Sequence, residues 1–425
     1  MTASDVHRAV DAVWRIESAR LIAGLARIVR DVGLAEEIAQ DALVAALEQW
    51  PQEGVPRNPG AWLMTIGKRR AIDLIRRQER LGRKQEELGR AVEAEAAGAA
   101  PDLGVAPADD IGDDLLRLVF TACHPVLSTE ARVALTLRLL GGLTTEEIAR
   151  AYLVPEPTVA QRIVRAKRTL ATKRVPFEVP QGAERAARLS SVLEVIYLVF
   201  NEGYSATVGD DWMRPALCEE ALRLGRILAG LAAKEPEVHG LVALMEIQAS
   251  RTHARTGSSG EPVLLLDQNR ARWDQLLIRR GLAALDRADE LGGALGHYAL
   301  QAAIAACHAR ARTPQETDWT RIAALYGTLA GLLPSPVVEL NRAVALSMAF
   351  GPAAGLQLVD ELTSEPSLKA YHLLPSVRGD LLAKLGRFDE AHEEFERAAS
   401  LTRNGRERTL LLQRAATCAR ESAPP

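Results

Sequence analysis

The sequence is poor in cysteine and aromatic residues, and it has no long uninterrupted run of apolar residues. Its four cysteines, Cys123, Cys218, Cys307 and Cys418, lie far apart and form no CxxC pair. This spacing argues against a zinc site or a disulfide framework and is typical of a reduced cytosol. No apolar run approaches the length of a membrane span, and charges interrupt the N-terminus too early for a signal peptide. We therefore expect a cytoplasmic protein that holds no metal ion or other cofactor.

The chain also has little net charge, but its charges are strongly segregated. The formal charge is −3 over 425 residues. Residues 57–84 carry nine Lys or Arg against two acids, and residues 158–174 carry six Lys or Arg and no acid. Residues 86–114 reverse this balance, with nine Asp or Glu against Arg90. Because nucleic acid responds to the local charge, the two basic stretches favour nucleic-acid binding in spite of the near-zero total.

The length of the chain indicates two or three domains. Ala, Leu and Arg dominate the composition, which favours helix over sheet, and an apolar fraction of 48% is enough for packed cores. Residues 85–113 are rich in Ala, Gly, Pro and acids, with weak periodicity, and are predicted to be a flexible linker. We predict an all-α fold with two small helical domains at 1–84 and 114–176, this linker between them, and a helical repeat domain at 177–425.

Residues 58–77 have the pattern of a basic amphipathic helix. Asn58 can cap its first turn, and Leu63 and Leu74 belong to the apolar stripe. The rest of the surface carries Trp62 and the cations Lys68, Arg69, Arg70, Arg76 and Arg77. Cations neutralise phosphates and an indole can stack on an unpaired base, so this helix suits a strand that is being opened. The alternative is a solvated basic helix whose Trp62 lies in the core.

Residues 128–174 carry a second pattern that is typical of DNA reading. Ser128 and Thr144 are predicted N-caps of two helices, and a turn at 153–156 leads into a further helix, 157–168, without acids. This order predicts a helix–turn–helix, whose second helix lies in the major groove. The predicted core is Ile148, Ala149, Val159 and Ile163, and the residues left to face DNA are Glu156, Gln161, Arg162, Arg165 and Arg168. The alternative is a helical hairpin that only packs.

Residues 34–47 are predicted to form an acidic helix ahead of the basic one. Its apolar stripe is formed by Leu34, Ile38, Ala42 and Leu47. The acids Glu36, Glu37 and Asp41 lie on the rest of the helix and are expected to form a solvated face.

The last third of the chain contains two similar segments, 341–362 and 380–401. Their inter-helix glycines, Gly351 and Gly386, are 35 residues apart, close to the roughly 34-residue period of tetratricopeptide repeats. The second copy has small and aromatic residues in the positions of that repeat: Gly379, Ala391, Phe395 and Ala398. A stack of such helix pairs would build an interaction surface.

No enzyme site is evident in the sequence. The histidines at 239, 253, 297 and 308 are scattered, without metal-ligand spacing. The segment 201–205, Asn-Glu-Gly-Tyr-Ser, is a polar turn after an apolar helix. It is interpreted either as a capped helix end or as part of a ligand site.

Taken together, the first 175 or so residues resemble a bacterial RNA polymerase sigma factor of the extracytoplasmic-function group, which keeps two core sigma domains joined by a linker. The resemblance rests on residues 34–50, 58–77 and 127–173, in this order and spacing. The later part, from residue 191 onward, resembles a subgroup that carries a long tetratricopeptide-like C-terminal extension. The resemblance thus extends over nearly the whole chain.

The resemblance implies roles for individual residues. Contacts with the core polymerase fall on Glu37, Asp41 and Leu47. Contacts with the −10 element and its melting fall on Asn58, Trp62, Lys68, Arg69, Arg70, Asp73, Arg76 and Arg77. Contacts with the −35 element fall on Glu156, Thr158, Gln161, Arg162, Arg165, Lys167 and Arg168. Arg69 departs from the pattern, since many members carry Asn there.

The function implied is transcription initiation without any chemistry performed by this chain. Its partners would be core RNA polymerase, through the clamp and flap elements, and promoter DNA. The extension is expected to regulate activity, either by packing on the sigma domains or by recruiting a protein partner. The acidic linker either enters the RNA exit path or is a spacer. The alternative is a helix–turn–helix regulator with a repeat scaffold that acts without polymerase, which leaves the Trp62 helix unexplained.

Overall fold

The computed structural model describes residues 3–89, 108–206, 213–257 and 261–422. Apart from isolated β-bridge residues at Thr256, Pro262 and Asn404, the regular structure in these ranges consists of helices. The chain divides into two compact units, Met1–Val195 and Ile196–Pro425. The predicted all-α fold is confirmed.

The first unit contains seven described helices and the beginning of an eighth. These are α1 (Ala3–Val29), α2 (Val32–Glu53), α3 (Pro59–Gly89), α4 (Ala108–Ala122), α5 (Thr129–Leu139), α6 (Thr145–Tyr152), α7 (Glu156–Thr172) and α8 (Gly182–Tyr204). Helix α3 packs against α1 at Gly67, where an added Cβ would lie 3.1 Å from a methyl carbon of Leu25. Even an alanine at 67 would therefore require the Leu25 side chain to shift.

Three predicted N-caps are present and explain where the helices begin. The side chain of Asn58 accepts a hydrogen bond from the backbone N–H of Ala61 at 3.1 Å, and Ser128 caps α5. Thr144 and Glu147 form a reciprocal capping box at the start of α6. Each cap gives a partner to backbone N–H groups that the first helical turn leaves without one.

The helix–turn–helix formed by α6 and α7 is also as predicted. Ile148, Ala149, Val159 and Ile163 are all buried. The chain reverses at Leu153, which adopts a left-handed conformation with φ 49° and closes the end of α6.

The second unit is built from the end of α8 and ten further α-helices. These are α9 (Pro215–Leu231), α10 (Pro236–Ala249), α11 (Gln275–Glu290), α12 (His297–Arg310), α13 (Trp319–Leu332), α14 (Pro336–Phe350), α15 (Pro352–Leu362), α16 (Leu373–Lys384), α17 (Phe388–Leu401) and α18 (Gly405–Ser422). The two predicted repeat segments fall on the helix pairs α14–α15 and α16–α17. Their turns need Gly351 and Gly386, which have φ values of 97° and 76°.

The structure refines the predicted segment boundaries. Both ends of the predicted linker 85–113 lie in helices, at the end of α3 and the start of α4, and its remainder, 90–107, lies outside the described residues. The compact units divide within α8, not near residue 176. The first half of α8 belongs to the first unit because Arg188 and Ser191 donate hydrogen bonds to the carbonyls of Phe120 and Cys123.

The described residues offer little for metal or thiol chemistry. No cluster of three or more His, Cys, Asp or Glu side chains able to hold a metal ion occurs among them. All four cysteines are free and buried, and burial raises the pKa of Cys123 to about 11 and that of Cys218 to about 12. No described helix is long and apolar enough to cross a membrane.

Candidate nucleic-acid interface

The basic helix α3 presents a continuous polar surface. Asn58, Arg69, Asp73, Arg76 and Arg77 are exposed, and Trp62, Lys68 and Arg70 are half-buried. The indole of Trp62 packs edge-on against that of Trp50, with ring centroids 5.4 Å apart. Trp50 is buried, so it holds Trp62 in place while part of the Trp62 ring stays accessible. Trp62 is thus neither a core residue nor a free surface side chain.

An ion pair joins the surface of α3 to the acidic face of α2. Arg70 Nη1 lies 3.0 Å from Asp41 Oδ2, and the two side chains are 40% and 63% exposed. An exposed pair of this kind contributes about 0–1 kcal/mol to stability, so both groups stay available to other partners.

Helix α2 presents the side chains predicted to meet the polymerase. Glu37 and Asp41 are exposed and lie one turn apart, and Leu47 is half-buried. The sequence did not single out Val44, which is 50% exposed and lies on the same face one turn beyond Asp41. This face therefore combines two carboxylates with an accessible apolar side chain.

Helix α7 presents most of the residues predicted to read DNA. Glu156, Gln161, Arg165 and Arg168 are exposed, and Thr158 and Arg162 are half-buried. Lys167 is different, because its ammonium group forms an ion pair with the carboxylate of Glu36 on α2. In this structure Lys167 faces another helix of the same unit.

Glu36 corrects the prediction of a fully solvated acidic face on α2. Its side chain is only 3% exposed, and its Oε1 accepts hydrogen bonds from Arg138 Nε and Gln40 Nε2, each at 2.7 Å. With Lys167 it forms what we call the Glu36 triad, a buried carboxylate between two cations, Arg138 and Lys167, from the helix–turn–helix domain. A buried carboxylate needs such partners, because an unpaired charge in this position would be very costly.

The triad was missed because its members are far apart in the sequence. Arg138 follows Glu36 by 102 residues, and only the fold brings them together. A second contact between the same two parts of the unit, an ion pair between Arg15 and Glu147 at 2.9 Å, is much more exposed. A third ion pair joins Arg27 of α1 to Asp114 of α4, with Arg27 Nε 3.0 Å from Asp114 Oδ2 and only 5% of the Asp114 side chain exposed. The triad is thus one of two contacts that are built on a buried carboxylate.

Comparisons with known proteins match three families along the chain. Residues 16–81 match Sigma-70 region 2, residues 117–170 match Sigma-70 region 4, and residues 188–289 match a family of unknown function, DUF6596. The ECF RNA polymerase sigma factor SigK of Mycobacterium ulcerans (strain Agy99) is 30% identical over 150 residues, which are 34% of this chain and 75% of that protein. The chain belongs to the extracytoplasmic-function (ECF) sigma factor family.

Two further comparisons extend this result. SigK of Mycobacterium tuberculosis (strain H37Rv) is 29% identical over 148 residues, 34% of this chain and 74% of the relative. An uncharacterized protein, R00370, of Rhizobium meliloti (strain 1021) is 44% identical over 384 residues, 90% of this chain and 89% of the relative. No solved structure matches. The R00370 match therefore extends over most of this ECF sigma factor, including its C-terminal extension. The two SigK matches cover only about a third of the chain.

Proposed function

We propose that this ECF sigma factor binds core RNA polymerase, recognises the −35 and −10 promoter elements and helps to open the duplex, performing no chemistry itself. The observation that carries the proposal is the surface of α3, where exposed arginines lie on the same helix as an indole held at the surface by a buried partner. A purely structural helix has no need for both features. We place its action in the cytoplasm, where its polymerase and DNA partners are found.

Promoter opening is assigned to α3. Lys68, Arg69, Arg76 and Arg77 neutralise strand phosphates, and Trp62 offers a stacking surface to a base that has left the duplex. Extrusion of a base costs a few kcal/mol, which these contacts offset. Many members of the ECF group carry Asn at the position of Arg69. Here the arginine is expected to contribute a positive charge to DNA binding in place of the amide group of Asn.

Recognition of the −35 element is assigned to α7. Its exposed Gln161, Arg165 and Arg168 have the side-chain types that read base edges or hold phosphates in the major groove. Lys167 joins them only after it leaves Glu36.

The described arrangement of the first unit is therefore interpreted as a closed state. Promoter elements at −35 and −10 are about 25 base pairs apart, or roughly 85 Å along B-DNA. In the structure α7 is tied directly to α2 through the Glu36 triad. Helix α7 has to separate from α2 before both elements are bound at once.

Polymerase binding is assigned to the face of α2 that contains Glu37, Asp41 and Val44. We expect the double charge reversal Glu37→Arg/Asp41→Arg to weaken binding of purified core polymerase at least about tenfold, since like charges brought together across an interface cost several kcal/mol. Glu53→Arg, an exposed acid at the end of the same helix, is the matched control. Undiminished binding by the double variant would contradict this assignment, and no binding by the wild type would favour a regulator that acts without polymerase.

The C-terminal extension is assigned a regulatory role, which it can perform by binding a protein partner. Removing residues 196–425 tests this, because residues 182–195 of α8 belong to the first unit and should stay. We expect promoter activity or its response to the inducing condition to differ between the truncated and the full chain. Equal activity and equal response, measured with a reporter in cells at matched protein levels, would contradict the assignment.

A further inference from the structure

The first unit contains a cleft at the place where its two sigma domains meet. The cleft has a volume of about 750 Å³, and one wall comes from the turn between α1 and α2, at positions 27 to 33. The other wall comes from the end of α7 and the segment after it, at positions 167 to 178, and Thr121 of α4 lies between them in the chain and also lines the cleft. A cleft of this size is in the range of sites that bind small molecules. The functions assigned above make no use of it.

Two arginines that line the cleft, Arg30 and Arg174, have unpaired side chains. Both residues are exposed, and within the described ranges neither guanidinium takes part in a hydrogen bond or an ion pair. The other two cations of the lining are already paired, Arg27 with a carboxylate of α4 and Lys167 with Glu36. The N–H donors of Arg30 and Arg174 are therefore available to a ligand.

The two acids of the lining do not neutralise these arginines. The carboxylate of Asp31 caps α2, because its Oδ1 accepts a hydrogen bond from the backbone N–H of Leu34 at 2.8 Å. Its charge is thus matched by the positive N-terminal end of its own helix. Glu178 is the second acid and is exposed. Two unpaired guanidinium groups against this one carboxylate leave an excess of positive charge, which favours an anionic ligand.

The backbone at both arginines is unusual. Arg30 lies in the turn between α1 and α2 with a φ of 54°, and Arg174 lies in the turn after α7 with a φ of 49°. Glycine is the usual residue in such left-handed turns at helix ends, because a Cβ makes this conformation unfavourable. Arginine at both positions, on the two walls of one cleft, indicates that the side chains themselves have a role. Residues in such conformations are often found at ligand-binding sites.

One wall of the cleft is also partly apolar. Leu170, Val175, Pro176 and Phe177 line it, and Phe177 is half-buried, so part of its ring is accessible. A flat apolar group can pack on an aromatic face of this kind. The cleft therefore combines donors for an anion with a surface for a ring.

We propose that this cleft binds a small molecule in which an oxyanion, either a phosphate or a carboxylate, is joined to a flat ring. Arg30 and Arg174 hold the oxyanion, since guanidinium groups bind both kinds through parallel hydrogen bonds, and Phe177 packs on the ring. Because the walls come from both sigma domains, the bound ligand stabilises the closed state and opposes the separation of α7 from α2. Binding itself does not depend on the promoter function proposed above.

The test is calorimetric titration of the full-length protein with adenosine monophosphate and, separately, with naphthoate, with inorganic phosphate as a probe that has no ring. The variants are Arg30→Gly and Arg174→Gly, each with the matched control Lys173→Gln, which removes an exposed cation next to Arg174 that does not line the cleft. Glycine suits the positive φ at both positions, so these variants should fold, and circular dichroism verifies this.

We expect saturable binding of at least one ring-bearing anion by the wild type. Affinity should fall about tenfold or more in each glycine variant and stay unchanged in Lys173→Gln, because hydrogen bonds to a charged group contribute at least that much to affinity. Inorganic phosphate should bind more weakly than the better of the two ring-bearing anions, since it makes no contact with Phe177. Saturation by adenosine monophosphate alone assigns a phosphorylated ligand, and saturation by naphthoate alone assigns a carboxylate.

Binding of neither ring-bearing anion would overturn the proposal, whether or not the protein supports transcription. Equal binding by the wild type and the folded glycine variants would overturn it too. Equal affinity for inorganic phosphate and for the ring-bearing anions would contradict the role of Phe177. A ligand that binds but leaves the affinity for −35 duplex DNA unchanged would contradict its effect on the closed state.

Discussion

Replacing Glu36 by alanine is expected to raise the affinity of the free protein for −35 duplex DNA about tenfold. The side chains of Arg138 and Lys167 are about one-fifth exposed and would lose the carboxylate that they share. Removing one partner of a buried ion pair typically costs about 3–5 kcal/mol, and part of this cost falls on the closed state alone. If the closed state cannot bind DNA, the apparent affinity for the −35 duplex rises as the population of the closed state falls. Fluorescence anisotropy with a duplex from the chain's own upstream region measures the effect.

The control for this experiment is Glu37→Ala, which removes the neighbouring exposed acid of α2. Glu36→Gln keeps the hydrogen-bonding shape and should give a smaller gain, and circular dichroism shows whether each variant folds. Equal DNA affinity in folded Glu36→Ala and in Glu37→Ala would contradict the closed-state interpretation.

Replacing Trp62 by alanine is expected to reduce transcription from a duplex promoter by about 5-fold to 150-fold. Stacking of one base on an aromatic side chain is worth about 1–3 kcal/mol, and this loss falls on the step in which the strands separate. A template with a pre-melted −10 region needs no strand separation, so the defect should be much smaller there. The measurement is run-off transcription from both templates with the same polymerase preparation.

Thr65→Ala is the control for Trp62→Ala, since Thr65 is exposed on the same helix and its hydroxyl donates to the Ala61 carbonyl of that helix. An equal loss on the duplex and pre-melted templates would mean that Trp62 supports the fold through Trp50 and has no part in opening DNA.

Local features of the fold could be predicted from sequence because they depend on residues a few positions apart. The caps at Asn58, Ser128 and Thr144 and the helix–turn–helix core of Ile148 and Val159 are of this kind. Each is fixed by helical spacing and by the backbone groups that a helix end leaves unpaired.

Contacts between distant helices could not be predicted in this way. Glu36 appeared to belong to a solvated face because the acids around it are exposed, and its burial depends on Arg138 and Lys167 from another domain. Similarly, the Tyr204 hydroxyl accepts a hydrogen bond from Arg251, 47 residues away, so the sequence showed only a polar turn and not the arginine that it holds. A single sequence contains no signal that pairs such residues.

The most direct test of the sigma-factor account is run-off transcription from the chain's upstream region by core polymerase, with and without the protein. We expect a specific transcript that appears only when the full chain is added. If the closed state persists on the polymerase, we expect that transcript with the Glu36→Ala variant instead. Absence of transcript with both proteins, while both still bind the duplex, would contradict the account and indicate a DNA-binding regulator that acts without polymerase.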